Sequence, residues 1–246
     1  MVRLALLLLA LPAAAVAALP WLDGDWRRTV EGRAVSRFVH HGVERAPESL
    51  QPRAWLENDR LRLGTWTSFP ANDTRSHEFA LVAAARHEWG GGAAVEAEVT
   101  HYHLRDARNG HPGHTAELTL AVSHRAGPGR VSVAVLHDVK RRAELLRLAY
   151  AGELALTRLG AFLRYRFEVG TKAARDVLPN LPGPRVGDAY RYADLSLEVP
   201  YRVAESWVVT VGGSASVTRG QRPFWSPTGA SAGPKVAASL GVAFEF

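Results

Sequence analysis

Charged residues in this chain recur at every second position, with apolar residues between them. In R-L-G-A-F-L-R-Y-R-F-E-V (158 to 169), Arg158, Arg164, Arg166 and Glu168 alternate with Leu159, Ala161, Leu163, Tyr165, Phe167 and Val169. The same phase sets out Arg33 and Arg37, Arg60 and Arg62, Glu96 and Glu98, Glu117, and Asp194 with Glu198. Charged side chains arrayed on one face of a water-filled interior order ions and polar solutes. Arginines dominate the first three such stretches and the ninth, and carboxylates gather in the fifth and sixth. A field running across the interior is therefore expected.

Other chemistry finds less to work with. His101 and His103, two apart, precede H-P-G-H (111 to 114), and imidazoles at that spacing can share a metal. Both carry the parity of the apolar face, however, where they would sit among lipid headgroups, so neither a metal nor a cofactor is expected. Catalysis needs a nucleophile, a base and a group that orients them. Ser123 and His124 point to opposite faces, so no catalytic residues are assigned and a lipid hydrolase in the wall is the least favoured reading. Gly90, Gly91 and Gly92 make a turn and not a phosphate cradle, because no helix follows them.

Positions of this kind require strands, and strand signals fill the chain after Asp25. In R-L-R-L-G-T-W-T-S (60 to 68), Leu61, Leu63, Thr65 and Thr67 oppose Arg60, Arg62, Gly64 and Trp66. In T-A-E-L-T-L-A-V-S (115 to 123), Ala116, Leu118, Leu120 and Val122 oppose Thr115, Glu117, Thr119 and Ser123. About twelve such segments occur, most of roughly nine to twelve residues, the length a tilted membrane strand needs. They lie near 30–41, 50–58, 60–68, 75–89, 93–104, 114–125, 130–138, 144–152, 156–169, 189–202, 206–218 and 235–246. The stretch 139–152 is open between strand and amphipathic helix, since Ala143, Leu146 and Tyr150 also fall at helical spacing.

Short connections at 58, 90, 126, 152–153 and 204 alternate with longer ones at 42–49, 69–74, 105–113, 139–143, 170–188 and 219–234. Tight periplasmic turns and longer outside loops alternate in this way in bacterial outer-membrane barrels. The first residues, an early Arg3, an apolar run and small residues around Ala15 and Ala17, have the layout of a secretory signal peptide spanning 1–18. The barrel is then expected over 19–246. Beyond the leader no apolar run approaches the about eighteen residues of a membrane helix. Cysteine is absent, which excludes disulfides and thiolate metal sites. Of the 30 basic residues one, Arg3, lies in the leader, leaving 29 against 24 acidic. That excess is scattered, so nucleic acid is not an expected partner.

The chain closes on S-L-G-V-A-F-E-F, where Val236, Ala238, Leu240, Val242, Phe244 and Phe246 share one apolar face. Gly241, Phe244 and Phe246 resemble the terminal signal that the outer-membrane barrel assembly machinery recognises. Trp89, Tyr201, Trp207, Phe244 and Phe246 have lipid-face parity at the turn ends of their strands, as interfacial aromatic girdles do.

The region 36–68 resembles the opening of the TorF-type porins, through Gly42, Gln51–Pro52 and Gly64-Thr65-Trp66-Thr67-Ser68. His40–His41 stand where that family has an aromatic–Arg pair. The resemblance covers about a seventh of the chain and implies a pore-forming architecture. The expected protein is an all-β, transmembrane, antiparallel up-and-down barrel of about twelve strands in the bacterial outer membrane. It would contact outer-membrane lipid and pass small polar or charged solutes by diffusion. The alternative is a non-conducting structural or adhesion barrel acting through loops 170–188 and 219–234.

Overall fold

Alternating side chains suit a sheet with two different faces, and the chain folds accordingly. The computed structural model describes residues 25–41, 43–46, 48–71, 77–104, 113–140, 142–156, 161–174, 190–220 and 234–246. The expected leader at 1–18, the remainder of loops 170–188 and 219–234, and Arg158 lie outside the described residues. The strands are β1 (Arg27–Val35), β2 (Phe38–His40), β3 (Val43–Ala46), β4 (Ser49–Glu57), β5 (Leu61–Pro70), β6 (Glu78–Glu88) and β7 (Ala93–Leu104). There follow β8 (His114–Ala126), β9 (Gly129–Asp138), β10 (Ala143–Leu156), β11 (Ala161–Ala174), β12 (Tyr190–Ala204), β13 (Trp207–Gly220) and β14 (Lys235–Glu245).

Twelve of them, β1 and β4 to β14, form one closed antiparallel barrel in sequence order, with β14 returning to β1. Closure pairs Thr29 with Glu245 and continues to Val35 opposite Ser239. One step further, the Phe246 N–H donates to the Arg28 carbonyl at 3.0 Å and the Arg28 N–H to the Phe246 carbonyl at 3.2 Å. A closed barrel leaves no sheet edge, and every ladder hydrogen bond is made within the wall.

The outer face is apolar. Leu118, Leu120 and Val122 on β8, Val131, Val133 and Val135 on β9, and Leu146 and Leu148 on β10 all stand exposed. The alternate residues are buried, among them Ala134, Leu136, Leu145 and Ala149. Apolar outside and polar inside is the pattern of a barrel solvated by lipid. At the end of the barrel where the short turns and the chain end meet, Trp89, Tyr201, Trp207 and Phe246 are exposed. The Phe244 ring lies between those of Trp207 (centroids 5.0 Å apart) and Phe246 (5.3 Å).

Two boundaries differ from the sequence reading, and one stretch that it left open is decided. The first barrel strand ends at Val35, and the residues expected to continue it to 41 form part of a separate hairpin, β2–β3. The ambiguous stretch 139–152 is strand from Ala143 onward, because Leu146 and Leu148 face lipid while Leu145, Arg147 and Ala149 face inward. No turn occurs at Gly152–Glu153. Gly152 pairs with both Gly129 and Tyr165, and β10 continues to Leu156. Its glycine makes room for a neighbour: a Cβ there would lie 2.5 Å from the Tyr165 hydroxyl. A glycine under an aromatic cross-strand neighbour imitates a turn signal in sequence.

Candidate functional site: an interior crossed by a hairpin

Ion pairs between strands that are not neighbours must run through the barrel interior. The Arg33 guanidinium on β1 meets Glu198 on β12, with β13 and β14 between them. Arg62 on β5 reaches over β6 to Glu98 at 2.6 Å and Glu96 at 3.5 Å on β7. Glu31 is buried under Arg33 (3.0 Å) and the Arg53 Nε (2.9 Å). Arg164 meets Glu153 at 2.7 Å, and Arg166 meets Glu168 at 2.6 Å.

Several of the charges expected to set up a field across the interior are thus paired with one another. Arginines on one strand are matched locally by carboxylates on the same or nearby strands. Arg37 lies between β1 and β2, 3.6 Å from Glu44 of the hairpin, and is not a wall residue. Arg60 lies in the tight turn after β4, where its backbone N–H donates to the Asn58 side-chain carbonyl at 2.9 Å. Glu117 is buried on β8, and Asp194 and Arg166 line one cavity.

In sequence the hairpin reads as the end of the first strand, to 41, followed by loop 42–49. Its pairing sets His40 opposite Val43, with His41 at the turn between them. Such hairpin turns favour positive φ at the central positions, and His41 has φ +48°. A non-glycine residue in that region is disfavoured by roughly 1–2 kcal/mol, so surrounding contacts must hold it.

Those contacts cross the barrel. The Phe38 ring packs on Trp66 of β5 (centroids 5.2 Å), and Arg45 meets Glu78 of β6 at 3.4 Å. At the tip, His41 Nδ1 is 3.3 Å from the Tyr192 hydroxyl of β12 and 3.6 Å from Glu168 Oε1 of β11. His40, His41 and Glu117 of β8 bring donor atoms within 4.8 Å of one another. Around the closed sheet, β11 is four strands from β1 in one direction and β8 is five in the other. A tip that touches both has spanned the interior.

Glu168 anchors it. The Tyr192 hydroxyl donates to Glu168 Oε1 at 2.6 Å, Arg166 donates to Oε2 at 2.6 and 3.1 Å, and Arg147 lies 3.9 Å away. Gly170 permits this: a Cβ there would stand 2.4 Å from the Tyr192 ring. Tyr192 also closes a buried apolar cluster with Ala134, Leu136, Leu145 and Tyr190. Glu168→Ala strands Arg147, Arg166 and His41 together, and breaking a buried pair from one side is destabilising by roughly 3–5 kcal/mol. Urea unfolding of the detergent-solubilised protein should register that loss, with Glu153→Ala, at an exposed pair, nearly neutral.

Beside the tip a cavity of about 270 Å³ remains, lined by Arg147, Arg166, Glu168, Asp194, Ser196 and Ser216 among others. Toward the short-turn end a wider recess of about 550 Å³ is bordered by Glu57, Arg60, Arg62, Arg86, Glu88 and Glu96. The sequence reading missed His40, His41, Glu44 and Arg45 as interior groups. The signal that was available is H-G between two short alternating runs, F-V-H and V-E-R-A.

No family model matches the chain, and no curated protein is significantly similar to it in sequence. Solved structures do resemble it. The NanC porin superposes with a TM-score of 0.55 at 7% identity, covering 88% of this chain and 100% of that one. The COG4313 outer-membrane channel from Pseudomonas putida F1 gives 0.48 at 10% identity, over 90% and 94%. OccD1 (OprD) gives 0.41 at 10% identity, over 91% of this chain and 66% of that one. At 7% identity the likeness to the NanC porin concerns the fold alone.

Proposed function

We propose that this closed twelve-stranded barrel with an apolar outer belt is an outer-membrane channel for passive diffusion of small polar or charged solutes, narrowed by the β2–β3 hairpin. The supporting observation is the charged and hydroxyl-lined cavity left beside the hairpin tip, with a second, wider charged recess at the short-turn end. The TorF-type resemblance of residues 36–68 agrees with this reading. Ion pairing lets the charged residues remain in a narrow interior while spare lone pairs and N–H groups still face water.

One observation favours the rival reading of a non-conducting structural barrel. The interior carboxylates are pinned in pairs, and the hairpin reaches the far wall. Planar-bilayer recording on the purified protein separates the two. Steady single-channel steps are expected, and Arg164→Ala with Arg166→Ala should shift selectivity toward cations by about twofold at low salt, where screening is weak. Silence in both proteins, together with lost thermal stability in the variant, would support the structural barrel.

Orientation is a separate expectation. The longer loops should face outside and the short turns the periplasm. The chain has no cysteine, so single Cys residues at 91, 127, 183 and 226 report sidedness on whole cells. A membrane-impermeant reagent should label 183 and 226 only, and labelling of 91 or 127 instead would invert the orientation.

A further inference from the structure

The His41 ring is only 8% exposed, and its two nitrogens have unlike surroundings. The Tyr192 hydroxyl has one proton and gives it to Glu168, so toward His41 it can only accept. His41 Nδ1 must then carry the ring proton and donate it toward Tyr192 and Glu168. In the neutral ring Nε2 is left with a lone pair, and it has no hydrogen-bond partner although it is buried. An imidazole whose proton-bearing nitrogen is oriented by a carboxylate, with the other nitrogen free to give its lone pair, is the arrangement of a metal-bound histidine. The neighbouring His40 ring is stacked 3.9 Å from it between centroids, and Glu117 completes a three-donor group within 4.8 Å.

We propose that His40, His41 and Glu117 form a binding site for a divalent transition metal of the zinc class, which ties the hairpin tip to the β8 wall. Two imidazoles and a carboxylate with a fourth position left for water are a common zinc ligand set. Bond lengths of about 2.0–2.1 Å place tetrahedral donors about 3.4 Å apart, so modest side-chain rotation closes the group around an ion. Of the nearby cations, Arg45 is matched by Glu78, and Arg147 and Arg166 lie on Glu168, while Glu117 contributes the charge of the site itself. The left-handed backbone of His41 has a use in this account, since strain of that kind collects where a side chain must be aimed. The site does not depend on the channel reading, and its test does not use conduction.

The test is titration of the EDTA-stripped, detergent-solubilised barrel with Co²⁺, read by visible absorption, and with Zn²⁺, read by calorimetry. Saturable binding of one ion is expected, with the strong visible bands of a four-coordinate cobalt site. His40→Ala and His41→Ala should each weaken it by at least about tenfold. Glu117→Gln keeps shape and removes the charge, so it should weaken binding similarly even if the histidine variants fail to fold. His101→Ala with His103→Ala should change nothing; these residues and His114, whose ring lies 6.2 Å from that of His101, are the competing surface histidines. The proposal is overturned if the wild-type protein shows no saturable binding. It is equally overturned if Glu117→Gln binds as tightly as wild type, or if only the His101 and His103 changes abolish binding.

Discussion

Deleting Phe246, or changing Phe244 and Phe246 together to Ser, is expected to keep the protein out of the outer membrane. Phe246 exchanges two backbone hydrogen bonds with Arg28, at 3.0 and 3.2 Å, at the seam where the last strand meets the first. Its ring, with those of Phe244 and Trp207, forms the exposed aromatic cluster at the short-turn end. Removing the residue takes away both partners of the Arg28 carbonyl and N–H and so opens the closing ladder of the barrel at its interfacial end. The double Ser change keeps the backbone but removes the apolar face that would mark the strand for the assembly machinery. Heat-modifiable migration on gels of outer-membrane fractions is the measure. The folded band should fall by at least about an order of magnitude, and an undiminished folded band from either variant would refute the assembly role of the terminal aromatics Phe244 and Phe246.

Replacing the hairpin, residues 38–46, with a short Gly-Ser linker should open the interior. In the present arrangement the hairpin tip lies between β8 on one side and β11 with β12 on the other, leaving a cavity of about 270 Å³. A twelve-stranded barrel is wide enough that its own side chains do not fill it as those of an eight-stranded barrel do. Single-channel conductance is therefore expected to rise by about two- to fivefold. The change exposes Glu78 and Glu168 to water, which can solvate them once the hairpin is gone. Some thermal stability will be lost, but the strands themselves keep all of their pairing. Unchanged conductance would place the narrowest point elsewhere, and silence before and after would return the chain to the structural reading.

The parts of this fold that were legible in sequence are those governed by backbone geometry alone. A strand turns successive side chains to opposite faces whatever it packs against, so L-T-L-A-V on β8 already separates Leu118, Leu120 and Val122 from Thr119 and Ala121. The same alternation, with its turns, counted twelve barrel strands and marked the apolar terminal face. It failed where a local feature has two meanings. Gly152 reads as a turn and is space for Tyr165; Ala143, Leu146 and Tyr150 fit helical spacing as well as a strand's and lie along a strand.

What only the tertiary structure decided is which groups meet across the interior. Arg33 finds Glu198, 165 residues away, and His41 finds Tyr192, 151 residues away. Those meetings depend on how many strands separate the two positions around the closed wall and on the register of every pair between them, so no single segment contains the information. The hairpin is the sharpest case. F-V-H-H-G-V-E-R-A alternates as well as a wall strand would, and its period cannot say whether it pairs with β14 and β4 or with itself. Self-pairing prevails here because Phe38, His41 and Arg45 can reach Trp66, Glu168 and Glu78 only from inside the barrel, contacts that come into being once the other twelve strands have closed.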